Sequence, residues 1–299
     1  MMFSLNTIPF LGTSPFGNNP AYDVDGKVVL ITGAGQGIGL ALAKILYERG
    51  ASVAIVDVDE HSAEAAAAVL GERAVAIAAD VRDRPAMAAV VARIVDRFGR
   101  LDVVVANAGI APPPATLRTI DEEAFDRVID INLTGVFNTV RPALEQVIEH
   151  GGHVVVVSSA AAFAPGAGGS PYMISKAAVE QLGRALRIEL AAVGASAGVA
   201  YFGIVETAMT HDTLDDDELG REVAELLPWP LNQRISPDAA AKSVADGIGE
   251  RAARTIAPAS WQPYAMLRGA ANVVIDRKMA GDENVHALIR KVEARLRRS

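Results

Sequence analysis

The chain has 299 residues, of which 51% are hydrophobic and 21% charged, with a formal net charge of −8 and no cysteine. That apolar fraction supports a sizeable buried core and excludes a disordered segment, while the acidic balance argues against a general affinity for nucleic acid or anionic membrane. Disulfides, thiolate nucleophiles and cysteine-held zinc sites are excluded, and a cytoplasmic setting is compatible with this.

Residues 1–20 lack a basic leader and a long unbroken apolar run, so they read neither as a signal peptide nor as a membrane span. They are expected to form an arm packed on the domain surface, with contact to a membrane or partner as the alternative. From Lys27 onward, short β-branched runs alternate with alanine-rich segments at a spacing that predicts βαβ units and a mostly parallel sheet. Strands are predicted at 27–32, 52–57, 74–79, 102–107, 153–158, 196–201 and, weakly, 254–258. Most are apolar throughout, as strands covered on both faces must be. Helices are predicted at 37–49, 61–70, 84–98, 120–149, 171–193 and 237–250. Thr119 with Glu122 has capping-box spacing, and Ser170-Pro171 and Ser236-Pro237 each offer an N-cap followed by proline at the first helical position.

Residues 21–258 show no linker and are read as one doubly wound α/β domain. Two stretches leave the alternation: 204–235, with the acidic run Asp215 to Glu218, and a helical extension at 259–299. The charge runs are expected to be solvated faces, with Arg295, Arg297 and Arg298 on a frayed surface helix. The five histidines, at 61, 150, 153, 211 and 286, show no metal-binding spacing and are expected to be scattered on the surface.

Three features carry chemistry. Thr32 to Gly39, TGAGQGIG, lies between a predicted strand and helix, and Gly33, Gly37 and Gly39 let a chain turn tightly and bring backbone N–H groups to a pyrophosphate. Asp57 ends the second strand, where a carboxylate accepts hydrogen bonds from both ribose hydroxyls and repels a 2′-phosphate; Gln36 and Val58 add no positive charge, so NAD(H) is favoured over NADP(H). Asp80-Val81 and Asn107-Ala108-Gly109 end the third and fourth strands, where ligands of such sheets lie. Tyr172 and Lys176 stand one helical turn apart behind Ser159, and a cation beside a phenol favours the phenolate.

TGAGQGIG, Asp80-Val81, ANAG at 106–109, Asn132, Ser159 and YMISK at 172–176 together resemble the short-chain dehydrogenase/reductase family over about Lys27 to Pro258. The resemblance implies a Rossmann-like fold with a seven-stranded parallel sheet flanked by helices on both faces. It also implies hydride transfer between a nicotinamide and an alcohol or carbonyl carbon. Tyr172 would be the general acid/base, Lys176 would lower its pKa and bind the nicotinamide ribose, Ser159 would orient the substrate oxygen, and Asn132 would help hold a water. Ile38 and Val205 join the cofactor site, and Thr207 would meet the carboxamide. Pairing through the helices at 120–149 and 171–193 into a dimer or tetramer is implied as well.

One departure stands out: Phe202-Gly203 replaces the family's usual Pro-Gly, and Phe202 is expected to line the site near the nicotinamide. The substrate segment, about Met209 to Leu231 within a lid at 204–235, combines with the residues after Ser159. It places Ala161, Ala162, Phe163, Ala164, Met209, Leu214, Leu226, Leu227 and Trp229 around an apolar pocket. A hydrophobic secondary alcohol or ketone of the steroid, terpenoid, fatty or aromatic kind suits it, although these side chains could equally pack the lid onto the domain. A cofactor-binding scaffold without turnover is the alternative function.

Overall fold

The computed structural model describes residues 21–163, 165–166, 168–226 and 232–296. The expected N-terminal arm and Ala164, Leu227, Trp229, Arg297 and Arg298 lie outside the described residues.

The β-branched runs form β1 (Val28–Thr32), β2 (Ser52–Asp57), β3 (Ala74–Ala78), β4 (Val103–Ala106), β5 (His153–Val157) and β6 (Ser196–Phe202). A short pair follows, β7 (Ile204–Val205) and β8 (Arg234–Ile235), and then β9 (Arg254–Ala257). A seven-stranded parallel sheet runs in the order β3-β2-β1-β4-β5-β6-β9, with Ile31 opposite Ile55 on one side and Val105 on the other. Alternation along β1 divides the core. Val28 and Leu30 pack with Met87, Val136 and Val179 on one face, while Val29 and Ile31 pack with Leu42, Leu46 and Val244 on the other. The strand order reverses between β1 and β4, which opens a crevice at their C-terminal ends.

The helices are α1 (Gly37–Glu48), α2 (Glu60–Leu70), α3 (Arg84–Phe98), α4 (Glu122–Ile129), α5 (Gly135–Val140), α6 (Leu144–Glu149), α7 (Ser170–Ala191), α8 (Ala208–Thr210), α9 (Glu218–Glu225) and α10 (Pro237–Gly249). Beyond β9 come α11 (Gln262–Ala280) and α12 (Glu283–Leu296). Ser236 caps α10 as expected, accepting from the Ala239 N–H at 3.2 Å. Two other predicted starts are corrected. Gly169, not Ser170, stands at the α7 N-cap, so the helix begins one residue earlier than expected, directly after the bridge between Gly169 and Ala115. Asp121 rather than Thr119 caps α4, accepting from the Ala124 N–H, and Thr119 instead bonds the Thr116 hydroxyl.

The single helix expected over 120–149 is broken by a π-turn at Asp130–Thr134 and a 3₁₀ turn at Arg141–Ala143. Pro142 supplies no N–H to the ladder, and the π-turn re-aims Asn132 into the protein. His153 is buried in the sheet rather than on the surface, with Nδ1 2.8 Å from the Ser196 hydroxyl. Burial, reinforced by the charges of Arg251 and Arg187, pushes its pKa down to about 3.

Candidate active site

The strand-loop-helix turn after β1 is built on backbone conformation. Gly33 and Gly37 have φ of +62° and +55°, which only glycine adopts without strain. Gly39 is needed for a different reason: a Cβ there would lie 2.3 Å from the Gly33 carbonyl oxygen. It therefore packs beneath the loop instead of lining the cleft as a cofactor contact. Gly35, which the sequence pattern did not single out, leaves room for Asp57, whose Oδ2 accepts the Gly35 N–H at 2.9 Å. Gln36 sits at the α1 N-cap without a side-chain cap bond, so the first N–H groups of α1 face the cleft uncapped.

A cleft of about 380 Å³ follows the switch point from this turn to the start of α7. Gly33, Gln36, Gly37, Ile38, Asp57, Asp80, Val81, Asn107, Ala108 and Gly109 line one end, and Ser159, Tyr172, Lys176, Val205 and Thr207 the other. The Asn107 side chain is turned back to the Thr32 and Gly33 carbonyls at 2.9 and 3.1 Å. Thr32 replies, its hydroxyl accepting the N–H groups of Asn107 and Ala108 at 3.1 and 3.2 Å. Asp80 is paired with Arg82, which holds its carboxyl below the usual range. Arg82 and Arg127 also line this end. Sequence reasoning missed these arginines because single charges among many carry no motif.

At the other end, Lys176 is buried and donates to the Val157 carbonyl at 3.0 Å, with its nitrogen 5.6 Å from the Tyr172 ring centroid. Burial pushes the ammonium down to about 8. The Tyr172 phenol moves opposite to expectation: burial raises its pKa, and the nearby Ser159 hydroxyl opposes that only in part. Ser159 ends the loop after β5, and its hydroxyl donates to the Phe202 carbonyl at 3.2 Å. Ser158 anchors α7 through the Lys176 carbonyl at 2.7 Å.

Asn132 is fully buried and does not line the cleft. Its Oδ1 accepts the Ile110 N–H at 2.8 Å, and its Nδ2 donates to the Ile110 carbonyl at 2.9 Å and the Ser175 hydroxyl at 3.1 Å. Ile110 was not foreseen, because its backbone, not its side chain, makes the contact. A Cβ on Gly109 would meet Asn132 Oδ1 at 3.2 Å and Lys176 Nζ at 3.3 Å, so this glycine is the point where both approach β4.

The apolar pocket is corrected in part. Met209 lines the cleft. Phe163 is instead buried among Tyr201, Trp261 and Tyr264. Leu214 and Leu226 are also outside the cleft wall, Leu226 being exposed. Phe202 does line the cleft, although most of its surface is buried with Val157, Val205 and Ala257.

A family model described as short chain dehydrogenase matches residues 27–218. The chain belongs to that family. It is an NAD(P)-dependent Rossmann-fold oxidoreductase acting on CH–OH groups. Among its relatives, a cis-4-hydroxycyclohexanecarboxylate dehydrogenase of Sinomonas cyclohexanicum is 36% identical over 222 residues, covering 73% of this chain and 88% of the relative. A (-)-trans-carveol dehydrogenase of Rhodococcus erythropolis is 40% identical over 185 residues, 56% of this chain and 67% of the relative. Among solved structures, a 3-ketoacyl-(acyl-carrier-protein) reductase from Brucella melitensis complexed with NADH has a TM-score of 0.70 at 29% identity, covering 78% of this chain and 97% of that one.

The residues present fit a nicotinamide dinucleotide. Positive-φ glycines, uncapped N–H groups at α1 and a carboxylate at the end of β2 supply the pyrophosphate and ribose chemistry at one end of a continuous cleft. Among the described residues no helix is long and apolar enough to cross a membrane.

Proposed function

We propose that this short-chain dehydrogenase uses NAD in preference to NADP and interconverts a hydrophobic secondary alcohol and its ketone. The steroid, terpenoid, fatty and aromatic classes are the candidates, and cyclic alcohols come first. The observation that carries the proposal is the joining of Ser159, Tyr172 and Lys176 to the Asp57 end by one cleft. The bound nicotinamide supplies the hydride acceptor or donor.

The residues do the rest. Ser159 holds the substrate oxygen, and Tyr172 takes the hydroxyl proton during oxidation or returns it during reduction. The charged form of Lys176 stabilises the phenolate and binds the ribose. Asn132 acts by fixing Ile110 and Ser175 around the site, and any water relay passes beside it. Asp57 favours NAD because its carboxylate can bond both ribose hydroxyls while repelling a phosphate. Thr207 is the partner for the carboxamide, its place in the cleft wall beside Val205 supporting that role.

The cyclic-alcohol preference draws on the two relatives' names and on Ile110, Phe202 and Met209 in the wall. The segment 204–235 is read as the lid on a domain spanning 21–258, and a cytoplasmic homo-oligomer, dimer or tetramer, completes the proposal. The test is an assay of cyclohexanol, carveol and 2-octanol with NAD⁺ and NADP⁺, alongside fluorescence titration of NADH. Tight NADH binding with no turnover across a wide alcohol panel would point to a scaffold.

A further inference from the structure

Two segments leave the cleft wall, and α12 joins them again. One begins with Ala208 and Met209 in the wall and continues into α9. The other follows Gly109 and Ile110 and reaches Thr116 and Arg118. Arg295 touches both, donating to the Asp217 carboxylate at 2.6 Å and to the Pro114 carbonyl at 3.1 Å. Asp217 is itself the N-cap of α9, its other oxygen accepting the Gly220 N–H at 2.9 Å. The acidic run is thus no merely solvated face, and Arg295, in the last turn of α12, is held by two partners.

A lone surface ion pair would fix little, but this one stands beside an apolar seam. Leu288 and Val292 are buried against Leu219 with Val223 alongside. Lys291 pairs with Glu222 at 2.8 Å, and Glu293 accepts from the Arg118 guanidinium and from the Thr116 hydroxyl. The restraint extends to the catalytic helix, because the Ala115 N–H donates to the Gly168 carbonyl at 2.9 Å, just ahead of α7 and Tyr172. Upstream, α11 is tied to the chain that follows Ser159: Asn272 donates to the Phe163 carbonyl at 2.7 Å, and Arg268 pairs with Glu180 on α7.

We propose that Arg295 is a positioning residue for the substrate site, and that the C-terminal helix holds α9 and the 110–119 segment at a fixed separation that selects which alcohols enter. The proposal rests on the dehydrogenase function above. The planar guanidinium reaches two acceptors in fixed directions, which a lysine point charge cannot reproduce.

The experiment compares wild type, Arg295→Ala, Arg295→Lys and the control Arg290→Ala, whose ion pair with Glu283 stays within α12. Steady-state kinetics on carveol and cyclohexanol are combined with NADH titration and hydrogen exchange. In Arg295→Ala, KM is expected to rise about tenfold with kcat changed less than about threefold, and the ratio of kcat/KM between the two alcohols is expected to narrow. Amides of 208–226 and 111–119 are expected to exchange faster, while those of α1 and the NADH affinity stay at wild-type values. Arg295→Lys falls between, and Arg290→Ala matches wild type. Unchanged exchange in α9, or a joint loss of kcat and NADH affinity that marks general destabilisation, overturns the proposal. If wild type turns over no alcohol, its dehydrogenase function on such substrates fails, and the α9 exchange result alone then decides whether Arg295 is a strap.

Discussion

Lys176 and Tyr172 face opposing demands. Each is destabilised in its charged form by burial, so Lys176 falls to about 8 and Tyr172 rises. With Tyr172 as the proposed proton carrier, alcohol oxidation needs the phenolate and carbonyl reduction needs the phenol. In the free enzyme the phenol dominates near neutrality, so kcat/KM for oxidation is expected to climb from pH 6 toward 8 and to level off above it as Lys176 loses the charge that supports the phenolate, while that for reduction does not rise. A flat oxidation profile measured over that range would show that the phenolate is already formed. Asp57 also serves two purposes, since the carboxylate that would read the ribose holds the Gly35 N–H at 2.9 Å. Asp57→Asn keeps an acceptor for Gly35 and removes the charge. The NADP/NAD affinity ratio is expected to shift toward NADP by roughly tenfold or more, on the order of the 1.5–3 kcal/mol attached to a charged hydrogen bond, with melting temperature little changed. Equal ratios in titrations of both cofactors would contradict the role given to Asp57.

At the scale of elements, strands were legible because β-branched apolar runs buried on both faces have few other uses. The 52–57 strand matches its prediction at both ends. The broken helix after Asp121 was less legible, because one break depends on a distant partner: Asn132 turns inward to the backbone of Ile110, which no local pattern reveals. Ser236 could be read as a cap, whereas Ser170 could not be excluded as one without knowing that Gly169 bridges to Ala115. His153 was misplaced on the surface, although its position at the head of HVVVV in β5 carried the signal. Its pKa falls from 6.5 to about 3 on folding, so its contribution to stability is complete above pH 6.5 and is lost as pH falls toward 3. The slope is about 1.4 kcal/mol per pH unit for one such group. His153→Gln is therefore expected to flatten the loss of urea-unfolding stability between pH 6.5 and 4.5, and an unchanged slope would mean that another group governs acid unfolding.

For the whole molecule, the gathering of Ser159, Tyr172 and Lys176 with the glycine turn along one cleft was legible because motif spacing survives without tertiary information. The pairing of α9 with α12 was not, because it joins residues far apart in sequence through ordinary charges. Assembly is also a matter of whole surfaces. Phe137, Ile174 and Ile188 on α5 and α7 are exposed apolar side chains, consistent with pairing through these helices. Ile174→Arg with Ile188→Arg is expected to lower the molar mass measured by light scattering to that of one chain, and an unchanged mass would remove this face from consideration. The most direct test of the enzyme itself combines Tyr172→Phe turnover with NADH binding. A loss of kcat/KM of about 10²–10⁴-fold, with NADH affinity within a few-fold of wild type, is the expected result. Wild-type turnover in Tyr172→Phe would contradict the assignment of the proton transfer to this phenol.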